Sequence, residues 1–74
     1  MKLPVLGKGA RGETVRAMQA LLQLHGCKLE SYGADGDYGG ETENAVREYQ
    51  RKAGVGVDGV CGPVTWSRLL GVSA

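Results

Sequence analysis

Asp35-Gly36-Asp37-Tyr38-Gly39-Gly40-Glu41-Thr42 and Asp58-Gly59-Val60-Cys61-Gly62-Pro63-Val64-Thr65 carry Asp, Gly, Gly and Thr at identical spacing. The chain holds one device twice. In each copy the aspartate can accept a hydrogen bond from its own turn, and the next glycine can take a positive φ. The second glycine stands at a helix entrance, with threonine inside the first turn. Tyr38 and Cys61 share one slot between the glycines, which reads as apolar and inward-facing in both copies.

Working outward, the spacing predicts helices over about 12–25, 40–53 and 63–70, each stopped by a glycine: Gly26, Gly54 and Gly71. Val15, Met18, Leu22 and His25 form one face of the first, with Leu21 beside it. The second turns Thr42, Ala45, Val46 and Tyr49 inward. Its first turn holds Glu41 and Glu43, its last Arg51 and Lys52, and Glu43/Arg47 and Glu48/Lys52 are spaced as ion pairs. The third starts at Pro63 and is expected to bury Trp66, Leu69 and Leu70. Sheet is expected to be minimal, so the fold class is all-α: a small three-helix domain with Gly-rich connecting loops.

The 74 residues suffice for one domain, read as 7–71 with a lead-in or linker end at 1–6 and a tail at 72–74. Without phenylalanine, and with only Trp66 and three tyrosines, most of the core must be aliphatic. A net charge of +1 with scattered Lys and Arg excludes nucleic acid as the partner. Apolar stretches such as Ala20-Leu21-Leu22 are too short for a membrane span or a signal-peptide core. Either the domain was cut from a longer protein or it reaches its target without such a signal.

The residues capable of chemistry do not assemble into a known reaction. His25, Cys27 and Cys61 supply three ligands where a structural zinc needs four, and no third member completes a Cys–His pair. Asp35, Asp37 and Glu41 begin like a calcium loop, but the twelfth position is Val46 rather than glutamate. Asp35, Asp37, Glu41 and Asp58 could pair as acid and base, yet so small a body offers little depth for a cleft. No catalytic residue, metal site or cofactor is expected. Gln19 and Gln50 occupy corresponding places beside apolar faces, and a buried amide must be paired; both are expected to bond the backbone of neighbouring loops.

One ordered set of residues runs through nearly the whole chain: Gly9-x-x-Gly12-x-x-Val15-x-x-x-Gln19-x-x-Leu22, then Gly26, then the first turn continuing to Ala45-Val46-x-x-Tyr49-Gln50. Val57-Asp58-Gly59-x-x-Gly62-Pro63-x-Thr65-Trp66-x-x-Leu69-Leu70 completes it. Over residues 5–71 this order resembles the peptidoglycan-binding domain of bacterial and phage cell-wall hydrolases. It is particularly similar to C-terminal modules of clostridial and phage lysins, where a pair like Gly26-Cys27 also follows the first helix. Tyr49 stands where the family often has Phe, Cys61 where it often has Val, and the loop from Lys28 to Ala34 is longer than in many members.

The resemblance implies a monomeric, non-catalytic module that binds bacterial peptidoglycan, acts outside the cell or in its wall, and serves an attached amidase or muramidase domain. The contact region is expected in loop 32–38 and the adjacent outer side of the second helix, with Tyr32, Asp35, Asp37, Tyr38, Arg47, Gln50 and Arg51 as candidate ligand residues. Two questions stay open on sequence. An extracellular setting would permit a Cys27–Cys61 disulfide. The alternative function is a protein-interaction or inhibitory prodomain whose Cys61 thiol blocks a zinc.

Overall fold

The structure is a computed structural model and describes residues 3–29, 31 and 33–71. In chain order it contains α1 (Glu13–Leu24), α2 (Gly40–Ala53) and α3 (Pro63–Leu70), with no strand among the described residues. Two isolated antiparallel bridges, Leu6 with Cys61 and Arg11 with Asp37, tie the segment before α1 to the later turns.

All three helices follow segments with the same glycine spacing, a regularity wider than the doubled turn, although the α1 N-cap has φ 130° where the α2 and α3 N-caps are extended at −100° and −99°. Lys8-Gly9-Ala10-Arg11-Gly12-Glu13-Thr14-Val15 takes, before α1, the place of the two Asp-Gly segments, and Gly12, Gly39 and Gly62 are the three N-cap residues. Lys8 replaces the aspartate and buried Val15 replaces the threonine. The reason is visible in the other copies. Gln19 on α1 donates to Thr42 Oγ1 (2.9 Å), and Gln50 on α2 donates to Thr65 Oγ1 (3.0 Å). No helix precedes α1 among the described residues to supply a glutamine, so an apolar side chain fills that position.

The glutamines therefore act as clasps on the turns that follow their helices. Gln19 Nε2 faces Asp35 Oδ1 (3.3 Å), the Asp37 carbonyl (3.1 Å) and Thr42, while its Oε1 accepts the Gly36 N–H (2.8 Å). Gln50 Nε2 faces Asp58 Oδ1 (2.9 Å), the Val60 carbonyl (2.9 Å) and Thr65, while its Oε1 accepts the N–H groups of Asp58 and Gly59 (both 3.1 Å). Each aspartate also accepts the N–H two residues on, Asp37 at 3.0 Å and Val60 at 2.9 Å. The expected backbone pairing is present, and side-chain partners on the next turn and helix are added to it. Among the described residues no buried side-chain nitrogen or oxygen lacks a partner.

α1 packs against both α2 and α3. Val15, Met18 and Leu22 from α1, Ala45, Val46 and Tyr49 from α2, and Trp66 and Leu69 from α3 meet in one core, joined by Leu6, Cys27, Leu29, Tyr38 and Cys61 from the connections. The shared Tyr38/Cys61 slot is inward in both copies. The lead-in packs as well: Leu6 exchanges backbone bonds with Cys61 (3.0 and 2.7 Å), and the Trp66 indole donates to the Pro4 carbonyl (2.9 Å).

The expected helix bounds hold: α1 runs from Glu13 to Leu24, with Gly12 as its N-cap and His25 as its C-cap. There the N–H of Cys27 returns to the Leu22 carbonyl and that of Gly26 to Gln23, closing the last turn. Leu70 is 48% exposed rather than buried, since on so short a helix the core-facing side is taken by Trp66 and Leu69. Cys27 and Cys61 are both free thiols. Cys27 lies near Glu48 and Lys52 of α2, whereas Cys61 is locked against Leu6, so the core holds them at separate sites.

Candidate functional site

The two clasped turns each leave a shallow depression ahead of the helix they launch. Before α2 it has a volume of about 350 Å3 and is lined by Gly33, Asp35, Asp37, Gly39, Gly40, Glu41 and Thr42. Its counterpart before α3 has about 250 Å3, and there Asp58, Val60, Gly62, Pro63, Val64 and Thr65 occupy the equivalent positions. One scaffold thus presents two different surfaces. The first carries three carboxylates and the opening amides of α2, whose N–H groups have no acceptor within the helix. The second replaces Asp37 and Glu41 with Val60 and Val64, and Pro63 contributes no N–H at all.

This sorts the candidate ligand residues. Asp35 and Asp37 are exposed at the first depression. Tyr32 lies outside the described residues. Tyr38 is withdrawn from any ligand: it is 1% exposed and its hydroxyl donates to the Gly59 carbonyl at 2.6 Å. Burial pushes its phenol well above the ordinary range, and the nearby Cys61, Glu43 and Asp58 push the same way. Gln50 is equally unavailable, because its whole amide is spent on the second turn. Both were reasonable candidates as polar groups near an exposed loop; internal acceptors and donors claim them instead.

Arg47 and Arg51 do not join the two aspartates. An added Cβ on Gly59 would lie 2.9 Å from Arg47 Nε, which places that guanidinium over the second turn, and Arg51 is in the last turn of α2. At 1.5 Å of rise per residue, the eleven steps from Gly40 to Arg51 span roughly 16 Å. The candidate residues thus fall into two groups, Asp35 and Asp37 at the first depression and Arg47 and Arg51 farther along α2, with Arg47 beside Glu43 over the second turn. Glu41 is the residue that position alone underrated: the structure sets it beside Asp35 and Asp37, with its carboxylate accepting the Ser31 N–H (3.0 and 3.2 Å). Its signal was its place in the repeat, opposite Val64.

The thiols and the imidazole have structural surroundings. Desolvation, with Asp58 adding to it, pushes the Cys61 thiol up to about 12, so it stays protonated at neutral pH. Burial, and then Glu48, raise Cys27. His25 Nε2 lies 2.9 Å from the Leu69 carbonyl, and its ring centroid is 5.0 Å from that of Tyr49. Among the described residues no three His, Cys, Asp or Glu side chains converge to hold a metal ion. A buried, protonated Cys61 with no free face also removes the thiol on which an inhibitory prodomain would depend.

Removing only the Tyr38 hydroxyl tests how the turns are coupled. Tyr38→Phe leaves the buried Gly59 carbonyl without that donor and is expected to cost about 1–2 kcal/mol in thermal or urea unfolding. A change below the error of the measurement would mean that water replaces the bond.

A sequence profile for peptidoglycan binding domains matches residues 11–69, most of the chain. The chain belongs to the peptidoglycan binding domain family. Over 70 residues, 95% of this domain, it is 47% identical to the N-acetylmuramoyl-L-alanine amidase CwlL of Bacillus licheniformis, and the match takes up 19% of that protein. The crystal structure of the SleB N-terminal domain agrees in fold with a TM-score of 0.85 and 35% identity, covering 92% of this chain and 90% of that one. In the crystal structure of the Burkholderia AP3 phage endolysin, a TM-score of 0.83 and 38% identity extend over 89% of this domain and 24% of the endolysin chain. The domain thus spans about a fifth of the curated amidases it matches.

Proposed function

We propose that this peptidoglycan-binding domain is the non-catalytic wall anchor of a cell-wall hydrolase, holding an attached catalytic domain against peptidoglycan at the bacterial cell surface. The observation that carries this reading is the CwlL match: 95% of the domain aligns with only 19% of an amidase, as a module joined to a larger body would. Its contribution is effective concentration. A tethered module of modest affinity raises the local substrate level of its partner without chemistry of its own.

The depression before α2 is the proposed contact, with Asp35 and Asp37 as its polar rim; Tyr32, three positions before Asp35 in the sequence, is proposed as a further contact. Carboxylates there suit amines of the stem peptide, and the opening amides of α2 suit carbonyl or carboxylate oxygens. Arg47 and Arg51 form a second, basic contact farther along α2. The domain acts as a monomer without cofactor, and neither nucleic acid nor membrane is its partner; no described helix is long and apolar enough to cross a bilayer.

Cosedimentation of the 74-residue chain with purified sacculi tests the reading. Saturable binding with no loss of sacculus turbidity is expected. Asp35→Ser combined with Asp37→Asn keeps an oxygen acceptor at position 35 and removes two charges; it should weaken binding about threefold to tenfold at low salt, and less at high salt. Absence of binding across salt and pH, or turbidity loss caused by the chain alone, would overturn the proposal.

A further inference from the structure

Both turns place aspartate directly before glycine, the aspartyl dipeptide most prone to spontaneous cyclisation because glycine has no side chain to hinder its amide nitrogen. In that reaction the glycine nitrogen loses its proton and attacks Cγ of the protonated aspartate. The N–Cγ bond forms, the Cγ–OH bond breaks, and water leaves a five-membered succinimide. Water then adds to one of the two ring carbonyls. Opening at one C–N bond restores aspartate; opening at the other routes the main chain through Cβ and Cγ, an isoaspartyl linkage of unchanged mass.

The structure obstructs this chemistry at the same two atoms in each copy. Gly36 and Gly59 are buried, and their N–H groups are donated to Gln19 Oε1 (2.8 Å) and Gln50 Oε1 (3.1 Å). The proton that must leave is held by a neutral amide, away from any solvent base. The carboxyl is engaged too: Asp35 Oδ1 accepts from Asp37 N–H and faces Gln19 Nε2, and Asp58 Oδ1 accepts from Val60 N–H and Gln50 Nε2. Held this way, Cγ cannot swing freely onto the following nitrogen.

We propose that Asp35–Gly36 and Asp58–Gly59 are latent isoaspartate sites, and that the buried amides of Gln19 and Gln50 hold them closed in the folded domain. The bonds to the Val60 N–H and then to Gln50 lower the Asp58 carboxyl below its ordinary value, which further depletes the protonated form needed for water to leave. Once formed, an isoaspartyl residue adds a backbone atom to the turn and displaces the Asp37 and Thr42 acceptors from Gln19, or the Val60 and Thr65 acceptors from Gln50. The damage would prevent the clasp from closing again. A domain working outside the cell has reason to keep both bonds shut.

The test is ageing of the full chain at neutral pH below its melting temperature, followed by peptide mapping that separates aspartyl from isoaspartyl forms and detects the succinimide by its loss of one water. In the folded wild type both sites should convert at least about tenfold more slowly than in urea-unfolded chain. Gln19→Ala should speed conversion at Asp35 about tenfold and well beyond any change at Asp58. Gln50→Ala, which leaves the domain barely folded, should speed both sites, so Thr65→Val, which removes one acceptor of the Gln50 amide, is the selective change at Asp58. Thr42→Val, a milder change that removes one acceptor of the Gln19 amide, should speed Asp35 alone and serves where Gln19→Ala unfolds. Equal rates in folded and unfolded wild type would overturn the proposal. So would a Thr42→Val domain, folded by circular dichroism, that ages at Asp35 as slowly as wild type.

Discussion

Gln50→Ala is expected to lower the unfolding free energy by about 4 kcal/mol, enough to leave a domain of this size barely folded. The side chain is 1% exposed, with Asp58, Val60, Thr65 and the Asp58 and Gly59 N–H groups around its amide. Truncation strips all of them at once and leaves a polar cavity. Water entering that cavity would return some of the loss, which keeps the figure below the sum of the separate bonds. Gln50→Glu separates bonding from volume: it fills the space but cannot donate, and it sets a second carboxylate against Asp58. It should therefore also destabilise, and more at neutral than at acid pH. Urea titration read by the emission of Trp66, the sole tryptophan, measures both variants. A loss under about 1 kcal/mol for Gln50→Ala would show that the clasp is decoration on a fold held by its apolar core.

The Asp58 carboxyl ties the same clasp to pH. Its folded value is depressed, first by the Val60 N–H and then by Gln50, so the stability it contributes is present above its ordinary range and is lost as pH falls through the lowered folded value. Gln50→Ala should reduce this acid sensitivity along with the stability.

Periodicity made the helices legible because they are bounded by strong local signals: acids in the first turn of α2, Pro63 at the start of α3, and glycines after α2 and α3. The family was legible because the order of many weak signals is more specific than any one of them. Ligand residues were harder. Tyr38 and Gln50 look like surface polar groups until the chain closes on itself and Gly59, Asp58 and Thr65 become their partners. Arg47 looks like a neighbour of the first turn until α2 is seen to lean on the second. Those contacts join residues from different turns, and no local pattern encodes the angle at which two helices meet. The third launching segment, Lys8 to Val15, is harder to see because Lys8 and Val15 stand where the other copies carry the aspartate and threonine that make them recognisable.

Gly36→Ala and Gly59→Ala are expected to separate what the doubled turn shares from what it does not. Both glycines have left-handed backbones, φ +80° at Gly36 and +74° at Gly59, so an alanine at either costs about 1–2 kcal/mol in backbone strain. Restricting the unfolded chain returns about 0.4–1 kcal/mol in each case. The neighbours of the new methyl differ. At Gly36 it would stand 3.0 Å from the carbonyl oxygen of Gly12, the N-cap of α1, and that backbone is itself bonded to Gly36 through the Gly12 N–H (2.9 Å). Relief there requires moving the turn against the start of a helix. At Gly59 the contacts are Arg47 Nε at 2.9 Å and Glu43 Cγ at 3.0 Å, parts of long side chains that can rotate toward solvent. The expected losses are therefore about 3 kcal/mol for Gly36→Ala and about 1 kcal/mol for Gly59→Ala. Equal losses, or a greater loss at Gly59, would mean that Arg47 and Glu43 are held as firmly as backbone. The second turn would then be the more rigid of the two, and the two copies would differ only in the side chains they present.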